Sequence, residues 1–584
     1  MDTETIETHS YRDVHPSEGH MTPGFDRRTI LAGAGAMMAS GLWRAAGAQT
    51  STFDTRSTLT TAPFVEVETA NGRLRGGHSR GALAFKGVPY GGPVDGTNRF
   101  KAPPPPPSWT GVRDALVLGP PSLQPPNTTY GENEAAYAEN CLVLNVWTPA
   151  CDGAKRPVMF YNHGGGYATG SAGSRGQDGA HLAATYDVVV VASNHRLGLL
   201  GYLYLGELGG EAYATSGNQG LLDIVAALQW VKTNIAAFGG DPDNVMLFGE
   251  SGGGFKTGTL MAMPAARGLF HKASIESGPG LRRMTKDNAT ETAKRVLKGL
   301  GMAPADLHRL AEVPAQAILD IQLAGEKGPL GLPSGPGAPV IHGRDSAHGA
   351  SWYSEQPGSF GPVVDGHVLP RHPFDPDATP LAADIPLIIG NNRDEACFFF
   401  MGEPAVFALD DAGLAARIKR EYGNDAERIL SVYRRTRPNA TPGELYIAIS
   451  TAKSMGFDTI LIADRKAAQP APVYRYRCDY ESNVPIKGAD TTLKAGHATE
   501  ITLKLLSYDQ PGLEGDGPAL APAAHNMSAL WASFARTGTP SAPGQPAWPR
   551  YDTRDRATML IDAHCKIVND PDSEERRLWA SLSI

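Results

Sequence analysis

Short alternations and continuous apolar runs divide the chain. Phe64, Val65 and Val67 alternate with Glu66 and Glu68, and Asn71 and Gly72 then turn the chain toward Leu74, which is the period and the turn of a hairpin. Runs at 139–147, 157–161 and 188–192 are apolar enough for buried strands. Leu221, Ile224, Val225, Leu228, Val231 and Ile235 recur at helical spacing and predict a helix over 217–235. Phe238, Gly239, Gly240, Asp241 and Pro242 stop it. Val245 to Phe248 reads as the next strand, and 273–275, 387–389 and 473–476 continue the series. Strand, helix and strand in repetition, with continuously apolar strands, predict an α/β protein with a large, mostly parallel central sheet covered by helices. Two long loop insertions interrupt it. One is polar, at 123–138; the other, at 324–360, is rich in Gly, Pro, Ser and His and has the length of a pocket wall.

Chemistry concentrates after the strand at Val245. There the chain reads Gly249, Glu250, Ser251, Gly252, Gly253, Gly254, a Gly-x-Ser-x-Gly motif leading into a helix. Such a turn lifts the serine oxygen above the strand, and it brings backbone segments too close for side chains. A serine hydroxyl is a poor nucleophile until a histidine removes its proton, and that imidazole needs a carboxylate to hold it. In a nucleophile elbow those partners follow in the order acid, then His. Glu395 follows the strand at 387–389 and His497 follows the one at 473–476, so Ser251, Glu395 and His497 are the candidate triad. Gly164, Gly165 and Gly166 end the strand at 157–161 and can present amide donors to an oxyanion, together with Gly252.

Composition narrows the alternatives. A net charge of -8 over 584 residues offers no basic face for a nucleic-acid partner. No run in the body of the chain approaches the roughly 18 consecutive apolar residues of a spanning helix, so no stable membrane anchor is expected. Residues 1–48 have another pattern: Arg27 and Arg28, an apolar stretch rich in small residues, then Ala46, Gly47 and Ala48. That is the form of a twin-arginine export signal that is removed, leaving 49–584 as one domain in the periplasm or outside a bacterial cell. Five cysteines show no metal spacing and are expected mostly as buried thiols; His497 with Glu500 has no third ligand, so neither metal nor cofactor is assigned.

Along nearly its whole length the sequence resembles the type-B carboxylesterases, the family of cholinesterases and bacterial p-nitrobenzyl esterases. The resemblance is carried by 139–149, 163–167, 194–201, 217–254, 360–370, 390–395, 497–501 and 531–551. It implies the α/β-hydrolase fold and a serine hydrolase that cleaves small-molecule carboxylic esters through an acyl-enzyme, which the leader segment makes an exported one. It also implies Ser251 as nucleophile, His497 as base, Glu395 as acid, Gly165, Gly166 and Gly252 as oxyanion donors, and Ser277 and Glu500 behind His497. Ion pairs of Arg99 with Glu139 and of Arg196 with Asp223 follow by similarity. Where relatives pair the cysteine matching Cys141 with one upstream, this chain has Ser122, so a free thiol is expected. Relatives with a glycine triplet accept esters of tertiary alcohols, an expectation extended here to Gly164, Gly165 and Gly166. His163 and His195 are expected to be satisfied structural histidines, and Asp365 to turn a loop. An amidase would share every catalytic residue, and a non-catalytic binding or adhesion module is the other alternative, although such modules lack a triad member and this chain has all three. The natural ester and the oligomeric state are not legible.

Overall fold

The computed structural model describes residues 63–125, 136–327, 359–509 and 512–582. The segment 1–48, most of 324–360 and part of 123–138 lie outside them. A sheet of 13 strands organises the rest. In spatial order it runs Val65–Thr69, Gly72–Ser79, Ala82–Pro89, Val143–Thr148, Val189–Ser193, Arg156–Asn162, Gly240–Glu250, Lys272–Glu276, Leu387–Asn392, Val473–Cys478, Ala557–Ile561 and Lys566–Asn569, with Val112–Asp114 beside the second strand. From Val189–Ser193 through Ala557–Ile561 every neighbouring pair is parallel. At the hairpin end and at the last pair the neighbours are antiparallel, except that Val112–Asp114 runs parallel to Gly72–Ser79. The sheet is therefore mixed and mostly parallel, with the parallel pairs at its centre.

Alternation across the sheet builds two cores. Val158, Phe160, Val245 and Leu247 face one, while Met159, Tyr161, Met246 and Phe248 face the other. All eight are buried, and complete burial of such side chains stabilises by about 1.5–3 kcal/mol each. The helix Gln219–Asn234 covers the first face with Leu221, Ile224, Val225, Leu228 and Val231, and its chain turns off at Gly239 at φ 78°. The helix Leu520–Thr537 covers the second with Met527, Leu530, Trp531 and Phe534. A third cluster joins the helices Asp411–Tyr422, Ala426–Thr436 and Pro442–Thr451.

Several boundaries differ from the sequence expectation. The strand expected over 139–147 is Val143–Thr148, because Asn140 instead donates to Asp95 and accepts from the amide of Val94. Two helical stretches, Ser216–Phe238 and Pro442–Ala467, are long and apolar enough to cross a membrane although neither is a continuous apolar run. In their most apolar windows 61% and 67% is buried within the protein, so their hydropathy is accounted for by the core they pack against.

Candidate active site

Parallel neighbours end on the same edge of a sheet, so the residues that follow the central strands are brought together. Arg156–Asn162 leads into His163 and the glycines, Gly240–Glu250 into Ser251, Lys272–Glu276 into Ser277, and Leu387–Asn392 into Glu395. Val473–Cys478 leads to His497 by way of a small hairpin, Ser482–Pro485 with Thr492–Lys494.

Ser251 stands at φ 55° and ψ −121°, between its strand and the helix Gly252–Leu260. A non-glycine residue there carries strain of order 1–3 kcal/mol and persists only where its neighbours fix it. Its amide donates to the carbonyl of Glu276 at 2.8 Å, and its carbonyl accepts from Phe255 at 3.0 Å. The turn is closed too tightly for side chains: a Cβ on Gly253 would lie 2.0 Å from the carbonyl oxygen of Asn162, and one on Gly249 2.5 Å from the same atom.

Gly165 and Gly166 turn beside it at φ 82° and 61°. Among the described residues their amides donate to no protein group. Gly252 opens its helix, so its amide also lacks an intrahelical acceptor. A Cβ on Gly252 would sit 2.4 Å from the nitrogen of Gly166, which puts the two backbones against each other. Unpaired amides in one place are suited to a developing oxyanion.

The ring of His497 is buried between two carboxylates. Nδ1 contacts Oε2 of Glu395 at 2.5 Å, and Nε2 lies 3.3 Å from Oε1 of Glu250. Phe398 and Phe399 pack on the ring, with centroids 5.6 and 4.8 Å away. Glu395 is fixed in turn, its Oε1 accepting from the amide of Asn392 at 2.6 Å. The side chain of Asn392 donates to Oε2 of Glu500 at 2.6 Å, and Ser277 donates to the other oxygen of Glu500 at 3.4 Å. Ser277 and Glu500 thus reach the histidine through Asn392 and Glu395. Asp394, next to Glu395, is turned away and pairs with Arg393 at 2.8 Å.

Burial pulls the His497 imidazole down, and the charges of Glu250, Glu395 and Glu500 more than reverse this, raising it to about 9. Burial likewise pushes Glu250 up to about 8, against the opposing pull of His497. Glu250 and His497 therefore each hold a proton to higher pH than they would in water. The hydroxyl of Ser251 makes no hydrogen bond among the described residues, and Nε2 of His497 is directed at Glu250.

Sequence reasoning brought together Ser251, Glu395, His497 and the glycines, and left three residues without a role. Glu250 had a signal, its place beside Ser251; Lys504 had another, its spacing of four from Glu500 on one helical face. Asn392 had none. The pairs Arg99–Glu139 and Arg196–Asp223 are formed at 2.5 and 2.6 Å, and Asp365 accepts from the amides of His367 and Leu369. Cys141 is a buried free thiol. His163 and His195 are buried and meet through Nε2 and Nδ1 at 3.2 Å, and Nδ1 of His163 lies 2.9 Å from the carbonyl oxygen of Gly164. No group of three or more His, Cys, Asp or Glu side chains among the described residues could hold a metal ion.

Residues 63–579 match the carboxylesterase family. The chain belongs to that family. It is 35% identical to the para-nitrobenzyl esterase of Bacillus subtilis, over 88% of this chain and 97% of that protein. It is 32% identical to the phenmedipham hydrolase of Pseudarthrobacter oxydans, over 86% and 96%. A solved carboxylesterase of Geobacillus stearothermophilus superposes with a TM-score of 0.74 at 39% identity, covering 88% of this chain and 99% of that one. An esterase of Clostridium hathewayi, described as able to hydrolyse aliphatic aromatic polyesters, gives 0.72 at 29%, covering 89% and 99%. The fold is the α/β-hydrolase fold, and this carboxylesterase is a carboxylic ester hydrolase.

Proposed function

We propose that this carboxylesterase works through an acyl-enzyme on Ser251. As the Ser251 oxygen attacks the ester carbonyl, His497 takes its proton, and Glu395 on Nδ1 holds the ring and offsets the imidazolium. The amides of Gly165, Gly166 and Gly252 receive the oxyanion. Collapse of the tetrahedral intermediate expels the alcohol, which leaves with the proton from His497. Water then attacks the acyl group in the same way, releases the acid and restores the serine. The observation that carries this reading is the contact between Glu395 and Nδ1 of His497 at the mouth of an elbow whose serine stands at positive φ. Catalytic hydrogen bonds are often long in a free enzyme and tighten in the substrate complex, where Nε2 serves the serine. Replacing Ser251 by Ala is expected to take hydrolysis of p-nitrophenyl acetate to near background, and an organophosphate should label Ser251 alone. Full turnover by S251A, or a label on another serine, would overturn the assignment.

The reading extends to location. Residues 1–48 are an export signal cut after Ala48, so the exported enzyme begins at Gln49; the twin arginine and the small-residue ending support this. N-terminal sequencing of enzyme recovered outside the cytoplasm tests it, and a chain still beginning at Met1 would refute it.

A further inference from the structure

Behind the proposed triad, six ionisable side chains pack together at 2% exposure or less: Glu250, Glu276, Glu395, His497, Glu500 and Lys504. Glu250 and Glu276 are register partners on adjacent parallel strands, so their side chains leave the sheet on the same face. Lys504, on the short helix Ile501–Leu505, reaches Oε2 of Glu276 at 2.5 Å and Oε1 of Glu500 at 3.6 Å. The second oxygen of Glu276 accepts from Trp531 at 2.6 Å and from Ser274 at 2.7 Å. The backbone carbonyl of the same Glu276 receives the amide of Ser251. Glu500 connects through Asn392 to Glu395 and so to Nδ1 of His497.

Four buried carboxylates in one cluster cannot all ionise unless a cation offsets them. Among the described residues, Lys504 is the cation, apart from the histidine itself, that pairs within the cluster, with Glu276 and Glu500. Burial works against its ammonium, and Glu276, Glu500 and Glu250 more than reverse that, so Lys504 stays charged. From the neighbouring strand the hydroxyl of Tyr476 and the thiol of Cys478 face the same carboxylates, and burial keeps both neutral.

We propose that Lys504 is a positioning residue of the hydrolytic reaction: held by Glu276 and Glu500, its ammonium is the counter-charge of the carboxylate cluster around His497, and through Glu276 it fixes the backbone that holds Ser251. The inference rests on the proposed roles of Ser251 and His497. Its signature is a pair of opposite shifts. The acid limb of kcat/KM follows loss of the proton from His497, since only the neutral ring can accept the serine proton. Removing the cation makes the surroundings more negative and keeps the proton on His497 to higher pH. Removing the carboxylate of Glu276 does the reverse.

The test is the pH profile of kcat/KM for p-nitrophenyl acetate in full-length wild type, K504M, E276Q and the double variant. Expected are an acid limb displaced upward in K504M and downward in E276Q, each by about half to one pH unit, and a return toward the wild-type position in the double variant. A merely structural pair would lower activity in each variant without opposite displacements. Should K504M fail to fold, the downward shift in E276Q and its reversal in the double variant still decide the question. Limbs that stay in place, or that move together, overturn the role of Lys504. S251A is run alongside, and turnover by that variant would overturn the triad reading instead.

Discussion

Nε2 of His497 lies 3.3 Å from Oε1 of Glu250, the residue immediately before Ser251, and neither oxygen of Glu250 accepts a hydrogen bond from any other group among the described residues. The carboxyl thus meets the ring at the nitrogen that the proposed mechanism uses as general base. Glu250 rises from the ordinary 4.5 to about 8 through burial, and His497 from 6.5 to about 9 through the carboxylates that outweigh its burial. Both folded values lie above the unfolded ones. The stability they contribute is full below the unfolded values and is lost as pH rises through the folded ones. Glutamine at 250 has no proton to lose and leaves His497 less acidic company. E250Q should therefore gain stability relative to wild type between pH 5 and pH 8.5 in urea unfolding, and its acid limb of kcat/KM should move down. An unchanged difference in stability across that range would refute the coupling.

Glu395 and Asp394 are adjacent in sequence and face different partners, His497 and Arg393. With E395Q the imidazolium loses its compensating charge, and kcat should fall by about 10⁴, as it does when the acid of such a triad is made an amide. D394N should cost less than about tenfold, the scale of a lost contact to a partly exposed ion pair. The reverse ranking in steady-state kinetics would make Asp394 the acid.

The glycine triplet does not offer equal room at its three positions. A Cβ on Gly164 would meet Oε2 of Glu250 at 3.2 Å, and one on Gly165 would meet the carbonyl oxygen of Thr169 at 2.4 Å; one on Gly166 meets nothing within 4 Å. G165A should therefore disrupt its own turn and harm every ester. G166A, strained but not colliding, should lower kcat/KM for tert-butyl acetate relative to ethyl acetate by about 10- to 200-fold, the worth of one methyl in a pocket. Equal losses on both esters would show that the space beside Gly166 is not where the alcohol sits.

Arg196 and Asp223 are the buried ion pair of the first core face, joined from Nη2 at 2.6 Å and from Nε at 2.8 Å. Replacing Asp223 with Ala strands a guanidinium in the interior, at a cost of about 3–5 kcal/mol. Arg73 and Glu68, half exposed or more, form the contrasting surface pair, and E68Q should cost less than about 1 kcal/mol. Urea denaturation midpoints for the two variants test this, and similar shifts would contradict it.

The sequence by itself determined the parts that depend on short-range sterics. Four apolar residues before Gly249, glycines on both sides of Ser251 and the stop at Gly239 encode a strand, a turn and a helix end, because backbone crowding acts over a few residues. Chain order then picked out Glu395 and His497, and the resemblance in long segments supplied the ion pairs. Tertiary structure alone decided what surrounds those residues. Glu250 and Glu276 become neighbours only through the register of two strands, and Lys504 meets Glu276 from 228 positions away in the chain. Asn392 links Glu395 to Glu500 because the sheet places its strand beside the one that carries Glu276. Periodicity specifies which face of a strand is buried; it does not specify which other strand lies alongside. The electrostatics of a buried site depend on that second choice, since a charge taken out of water is governed by whatever ion stands within a few ångströms of it.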